Sequence, residues 1–174
     1  MTICVQKYTS IKSITTGSDI PVAVASGEIK WGNDTLKSNI LARIMYCGYD
    51  FNETLQMKMA SGRFYSEKFA TDSVNAIVVN EEVAKIMRWK DPIGQRFLLW
   101  DQYYQVIGVA KNILFQPFNF GGCAMIIPFT HKSRYLFIRI SQYNQTETIA
   151  RIREVFEKYI SNYPFEYNYL IDFQ

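Results

Sequence analysis

Little in this chain points to catalysis. It holds one histidine, His131, and three cysteines, Cys4, Cys47 and Cys123. No CxxC pair exists and no cysteine has a histidine three to five residues away, which argues against a zinc site. GxSxG, HExxH, Walker and GxGxxG patterns are all absent. The charge is nearly balanced, 19 Lys and Arg against 16 Asp and Glu. A nucleic-acid binder would need a concentrated basic face, so nucleic acid is not an expected partner. The longest nearly apolar stretch, Cys123-Ala124-Met125-Ile126-Ile127-Pro128-Phe129, is far short of the ~20 residues of a membrane helix. No basic-then-apolar leader opens the chain, and the polypeptide reads as soluble.

What the chain does have is aromatics, 16% of its 174 residues, which favour strands and packed contacts. With 48% apolar residues it can bury a core, and disorder or a coiled coil is a poor reading. Helical spacing of Val5, Tyr8 and Ile11 predicts a short helix over 3–12. Strands are expected at 13–18, in 22–30 and at 40–46, with a hairpin turn at Trp31-Gly32-Asn33-Asp34. Asp50-Phe51-Asn52-Glu53 has the capping-box pattern, and Gly62 fits a turn after that helix.

The run Ala76-Ile77-Val78-Val79 predicts a buried strand. Asn80 then caps a helix whose first turn carries Glu81 and Glu82 and whose buried face is Val83, Ile86 and Met87. Pro92 ends it. Paired strands at 95–100 and 103–109, further strands at 124–127 and 135–140, a helix over 146–161 and a last strand at 165–171 complete the expectation.

Each candidate for chemistry has a structural reading beside it. His131 sits in the polar loop Thr130-His131-Lys132-Ser133 and reads as an exposed loop residue. Asp50 with Glu53 is explained by capping rather than acid–base work, and Glu81 with Glu82 by the helix dipole. Arg63 could bind an anion, but pairing with a local carboxylate is the commoner outcome. Cys47 reads as a buried inert thiol. Phe115, Phe118 and Phe120, near Pro117 and Gly121-Gly122, are either a plug under a long loop or a contact surface for a protein partner. No catalytic constellation and no cofactor site emerges.

The order of segments carries a resemblance. Gly48-Tyr49-Asp50-Phe51-Asn52-Glu53 precedes Gly62-Arg63-Phe64-Tyr65, then Ala76-Ile77-Val78-Val79-Asn80-Glu81, Asp91-Pro92-Ile93-Gly94-Gln95-Arg96 and Val106-Ile107-Gly108-Val109. Over 46–174 this resembles the periplasmic core domain of MacB-like, FtsX-type ABC transporter permeases of the Bacteroidetes type. The family's Asp-Phe-His-Phe stretch is replaced here by Asn112-Ile113-Leu114-Phe115.

The resemblance implies an α+β fold. A porter-like α/β lobe from 1–60 and 133–174 would carry an inserted, mostly β lobe from 61–132. It implies a non-catalytic domain, without cofactor, on the periplasmic face of the bacterial inner membrane. Such a domain would be joined by membrane helices to a cytoplasmic ATPase subunit or domain. It would pass conformational change to a periplasmic adaptor or client in efflux, lipoprotein handling or another envelope process, with a permease dimer as a further expected assembly. The alternative is a stand-alone extracytoplasmic ligand-binding or sensory module, which needs a deep polar-lined pocket. A hydrolase would need a nucleophile and base in contact.

Overall fold

The apolar run after Asn75 is a strand because its β-branched residues suit a pleated, two-sided burial. In the computed structural model it forms β5, Ala76–Asn80, and all five residues are buried. The structure describes residues 9–21, 24, 26–32, 37–69, 71–112, 123–160 and 162–170, with side chains left aside over 26–32 and 37–40. The other strands are β1 (Ile11–Gly17), β2 (Ser26–Gly32), β3 (Lys37–Ile44), β4 (Met59–Gly62), β6 (Arg96–Leu99), β7 (Gln102–Ala110), β8 (Ala124–Pro128) and β9 (Tyr135–Ile140). The helices are α1 (Phe51–Thr54), α2 (Asp72–Asn75), α3 (Glu81–Ile86) and α4 (Gln145–Tyr159).

Seven strands form one sheet in the order β4-β7-β5-β8-β3-β2-β6, and β6 also pairs with β7. On β7 one edge takes β5, while the other takes β6 along 102–105 and β4 along 108–110. Strands β7, β5, β8, β3, β2 and β6 therefore close into a six-stranded ring, with β4 added outside it. Alternation splits the burial as a pleated sheet requires. Ile77, Val79, Phe97, Leu99, Val106 and Ile126 point into the ring, which is plugged by Val83 of α3 and by Met87 at its C-terminal cap. Ala76, Val78, Met125 and Ile127 point outward into a second cluster with Met45, Cys47, Phe51, Phe64 and Tyr65.

The second sheet is the antiparallel pair β1–β9. Leu136, Ile138 and Ile140 face Ile152 and Val155 of α4, while Phe137 faces the outer cluster of the ring. The alternation expected for 135–140 is thus realised. The sheets do not part at residue 60, because β2 and β3 belong to the large sheet through β3–β8 and β2–β6.

Three local expectations are corrected. Residues 1–8 lie outside the described residues, and Ile11 and Lys12 open β1 rather than close a helix. Asp50 stands before α1 in the left-handed region (φ 59°) and makes no side-chain cap. A cap needs extended backbone to aim its oxygen at the first amides, so the capping box does not form. Residues 164–169 make no strand pairing. Phe165, Tyr167 and Tyr169 instead contact one another in succession, with Phe165 on Phe156 of α4.

Candidate functional site

Four residues after β3 serve both sheets. The Met45 and Cys47 amides donate to the carbonyls of Ile126 (3.1 Å) and Pro128 (3.0 Å), extending β3 along β8. On the opposite edge, Ser18 donates to the Tyr46 carbonyl and Gly48 to the Thr16 carbonyl, each at 2.9 Å. Cys47 bridges Gly17 on one side and Phe129 on the other. The backbone of 45–48 is thus one ribbon shared by the ring and the β1–β9 sheet.

Side chains close around this joint. Thr15 Oγ1 donates to the Tyr49 carbonyl (2.6 Å), and Arg139 Nε of β9 donates to the Thr54 carbonyl (2.6 Å) at the end of α1. Rings run across it from Phe137 to Phe51 (5.9 Å), Phe64 (6.4 Å), Tyr65 (5.1 Å) and Phe129 (5.3 Å). Aromatic pairs at such spacings add about 0.5–1.5 kcal/mol each beyond burial. The packing at the joint is close around two glycines, where any side chain would displace a neighbour. A Cβ on Gly48 would lie 2.6 Å from Thr16 Oγ1, and one on Gly17 would lie 2.9 Å from the Phe137 ring.

Burial pushes the Cys47 thiol well above its ordinary value, so it stays protonated and is no nucleophile. Burial likewise raises Tyr65, against an opposing hydrogen bond from the Val78 amide. The Tyr65 hydroxyl donates to the Ile127 carbonyl (2.7 Å) and accepts from the Val78 amide (3.1 Å). Val78 and Ile127 are register partners in β5 and β8, so one phenol braces that junction.

The motif residues turn out to hold the fold. A Cβ on Gly108 would stand 2.1 Å from the Arg63 carbonyl, and one on Gly62 would stand 2.3 Å from the Ile107 carbonyl. These glycines let β4 cross β7. Arg63 grips Asp72 with both nitrogens (2.5 and 2.9 Å), and its guanidinium lies 3.8 Å from the Phe69 ring centre. Asp72 is 3% exposed and Arg63 38%. The hydrogen bond to Asp72 holds Arg63 above its ordinary value, so the pairing expected for Arg63 is the one found.

Asn80 is more than the expected cap. Its Oδ1 accepts from the amides of Val83 (3.1 Å) and Met125 (2.9 Å). Its Nδ2 donates to Asn112 Oδ1 and to the Cys123 carbonyl, both at 2.9 Å. Glu81 accepts from the Asn112 amide (2.9 Å). One asparagine thereby fixes both roots of the stretch that carries Phe115, Phe118 and Phe120. Those three phenylalanines lie outside the described residues.

The remaining candidates are not brought together. His131 is exposed and edge-on to Phe129 (4.8 Å). Asp50 and Glu53 are exposed, and Glu82 pairs with Lys85 (3.6 Å). Cys47 and Cys123 are both free thiols. Among the described residues no group of three or more His, Cys, Asp or Glu could hold a metal. A shallow groove of about 420 Å³, lined by Ala60, Ser61, Glu81, Ala84, Ile93 and Val109 among others, is open to solvent. No described helix is long and apolar enough to cross a membrane.

The comparisons with known proteins agree with this architecture. Three solved structures share the fold. The periplasmic region of MacB from Actinobacillus actinomycetemcomitans superposes with a TM-score of 0.65 at 18% identity, covering 91% of this chain and 72% of that one. The extracellular domain of the noncanonic ABC-type transporter YknZ from Gram-positive bacteria gives 0.66 at 13% identity, covering 91% and 81%. A domain of a putative permease protein from Porphyromonas gingivalis gives 0.63 at 14% identity, covering 99% and 86%. No match was found among curated proteins. Residues 6–155 match the family model described as the MacB-like periplasmic core domain, and the chain therefore belongs to that family of extracytoplasmic domains of ABC transporter permeases.

Proposed function

We propose that this chain is a non-catalytic transmission element of an ABC transporter permease on the periplasmic face of the bacterial inner membrane. ATP is hydrolysed by a cytoplasmic subunit or domain. Membrane helices outside this sequence carry the resulting motion to the domain, and the domain passes it to a periplasmic adaptor or client. Nucleotide state then biases two positions of the domain, with the differential contacts made at the partner.

The observation that carries this reading is the shared ribbon at 45–48. A displacement applied to the β1–β9 sheet cannot leave the ring behind without breaking either the two backbone hydrogen bonds on the β1 edge of the ribbon, Ser18 to Tyr46 and Gly48 to Thr16, or the three on its other edge, Met45 to Ile126, Cys47 to Pro128 and Thr130 to Cys47. The stand-alone ligand module finds less support, since the groove beside β4 is open rather than enclosing.

The test uses the full-length permease with its ATPase in lipid. A spin label replaces Glu154 on exposed α4, and a second sits at the membrane surface. The distance between them is expected to change between the nucleotide-free and ATP-bound states. An unchanged distance distribution, or substrate turnover by the purified domain, would sink the proposal.

A further inference from the structure

We propose that the β1–β9 sheet carries an anion site, built by Lys12 and Arg139 at a β-bulge and suited to a phosphate group. β1 holds one residue more than β9 at this point. Ile11 faces Ile140 and Ser13 faces Arg139, which leaves Lys12 without a partner in the ladder. Ile11 and Ile14 nevertheless pack together on the α4 side, with Ile138 and Ile140. Residues three apart on a regular strand would face opposite sides. The bulge restores the match by turning Lys12 and Ser13 together to the other side, where Arg139 also lies. Two cationic side chains are thus brought to one face of neighbouring strands, where like charges destabilise the pairing.

No described carboxylate relieves them. Neither Lys12 nor Arg139 forms an ion pair, and Asp50 and Glu53 beside α1 engage neither. Arg139 Nε donates to the Thr54 carbonyl (2.6 Å), which fixes the plane of its guanidinium. Its two terminal nitrogens are not buried and make no bond, and Lys12 is exposed. Ser13 Oγ and Thr54 Oγ1 are buried without a partner, so the neighbourhood is rich in donors and short of acceptors.

A guanidinium held in this way offers a fork that matches two oxygens of an oxyanion. A carboxylate spends both oxygens on the fork and brings one charge. A phosphate group brings about two charges near neutral pH and further oxygens for Lys12, so it answers both cations at once.

The test titrates the full chain with inorganic phosphate at constant ionic strength and follows backbone amides by NMR, with acetate and chloride run in parallel. The amides of 11–14 and 138–140 are expected to shift and saturate with phosphate, and acetate and chloride to bind about tenfold more weakly or less. Glycerol 3-phosphate serves as the monoester. Tighter binding than that of the free ion would mark an esterified ligand, and equal or weaker binding a free one. Lys12→Gln is expected to weaken phosphate binding about tenfold. Arg139→Lys, which keeps the charge and loses the fork, is expected to do the same. A response that does not saturate would overturn the proposal, as would acetate or chloride binding as tightly as phosphate. So would an affinity unchanged in Lys12→Gln. Lys12 is exposed, so that variant keeps the fold and decides even if Arg139→Lys does not fold.

Discussion

Every residue of β5 from Ala76 to Asn80 is buried, whereas every residue of β9 from Tyr135 to Ile140 is only half-buried. The contrast holds for whole regions. The ring has apolar clusters on both faces of its sheet, while the β1–β9 sheet buries Ile11 and Ile14 and leaves α4 with Thr148 as its one buried side chain. A two-stranded sheet is marginal alone in water, and here α4 covers it with only Ile11 and Ile14 buried between them. The smaller region persists because the ribbon at 45–48 and the ring stack through Phe51 and Phe137 bind it to the larger one. The proposed transmission of motion would need a stiff body and a firm attachment, and the two regions divide those tasks.

The largest effect is expected at the β4–β7 crossing. Gly108→Val places a branched side chain against the Arg63 carbonyl, where even a Cβ has no room. It should cost more than about 4 kcal/mol, read as loss of folded protein in urea titration. Phe97→Ala, inside the ring, should cost about 3–5 kcal/mol, against about 1 kcal/mol for Ile152→Ala on half-exposed α4. Similar costs at the two sites would erase the contrast between the regions.

Asp72→Ala should cost about 2 kcal/mol, less than a fully buried pair because Arg63 is partly in water. Tyr65→Phe should cost about 1–3 kcal/mol by leaving the Val78 amide and Ile127 carbonyl without their shared hydroxyl.

That substitution also carries a pH signature. Burial raises Cys47 above its ordinary 9.0 and Tyr65 above 10.0. Both hold their protons more tightly folded than unfolded. Their contribution is fully present below those ordinary values and is lost as pH rises beyond them. Denaturation midpoints should fall steeply above pH 10 in the parent and less steeply in Tyr65→Phe. Parallel curves would contradict the assignment. The smallest effect belongs to Tyr143→Ser, within about 0.5 kcal/mol, since that ring is 81% exposed.

Strand β5, the Asn80 cap, α3, the β6–β7 hairpin, β8, β9 and α4 were legible because each carries a local signal, a β-branched run, a cap residue or a clean period. The order of the Gly62-Arg63, Pro92-Ile93-Gly94 and Gly108 motifs disclosed the family. The physical reason for those motifs was hidden, because the Gly62–Gly108 crossing and the Arg63–Asp72 clasp join residues 46 and 9 apart. The shared ribbon leaves no local sequence signal for the same reason. Nothing local in Tyr46-Cys47-Gly48 says that two sheets meet there. The last strand expected at 165–171 is not seen over 165–169, where Phe165, Tyr167 and Tyr169 contact one another rather than face a sheet.

Unfolding followed at two places tests the central claim most directly. Tryptophan fluorescence reports the ring through Trp89, whose indole packs on Phe97 (6.3 Å), and a label at Glu154→Cys reports α4. If the two sheets are one body, both probes should give a single shared midpoint in urea. A separate, earlier transition at α4 would show that the small sheet hangs loosely from the ring and could not drive it.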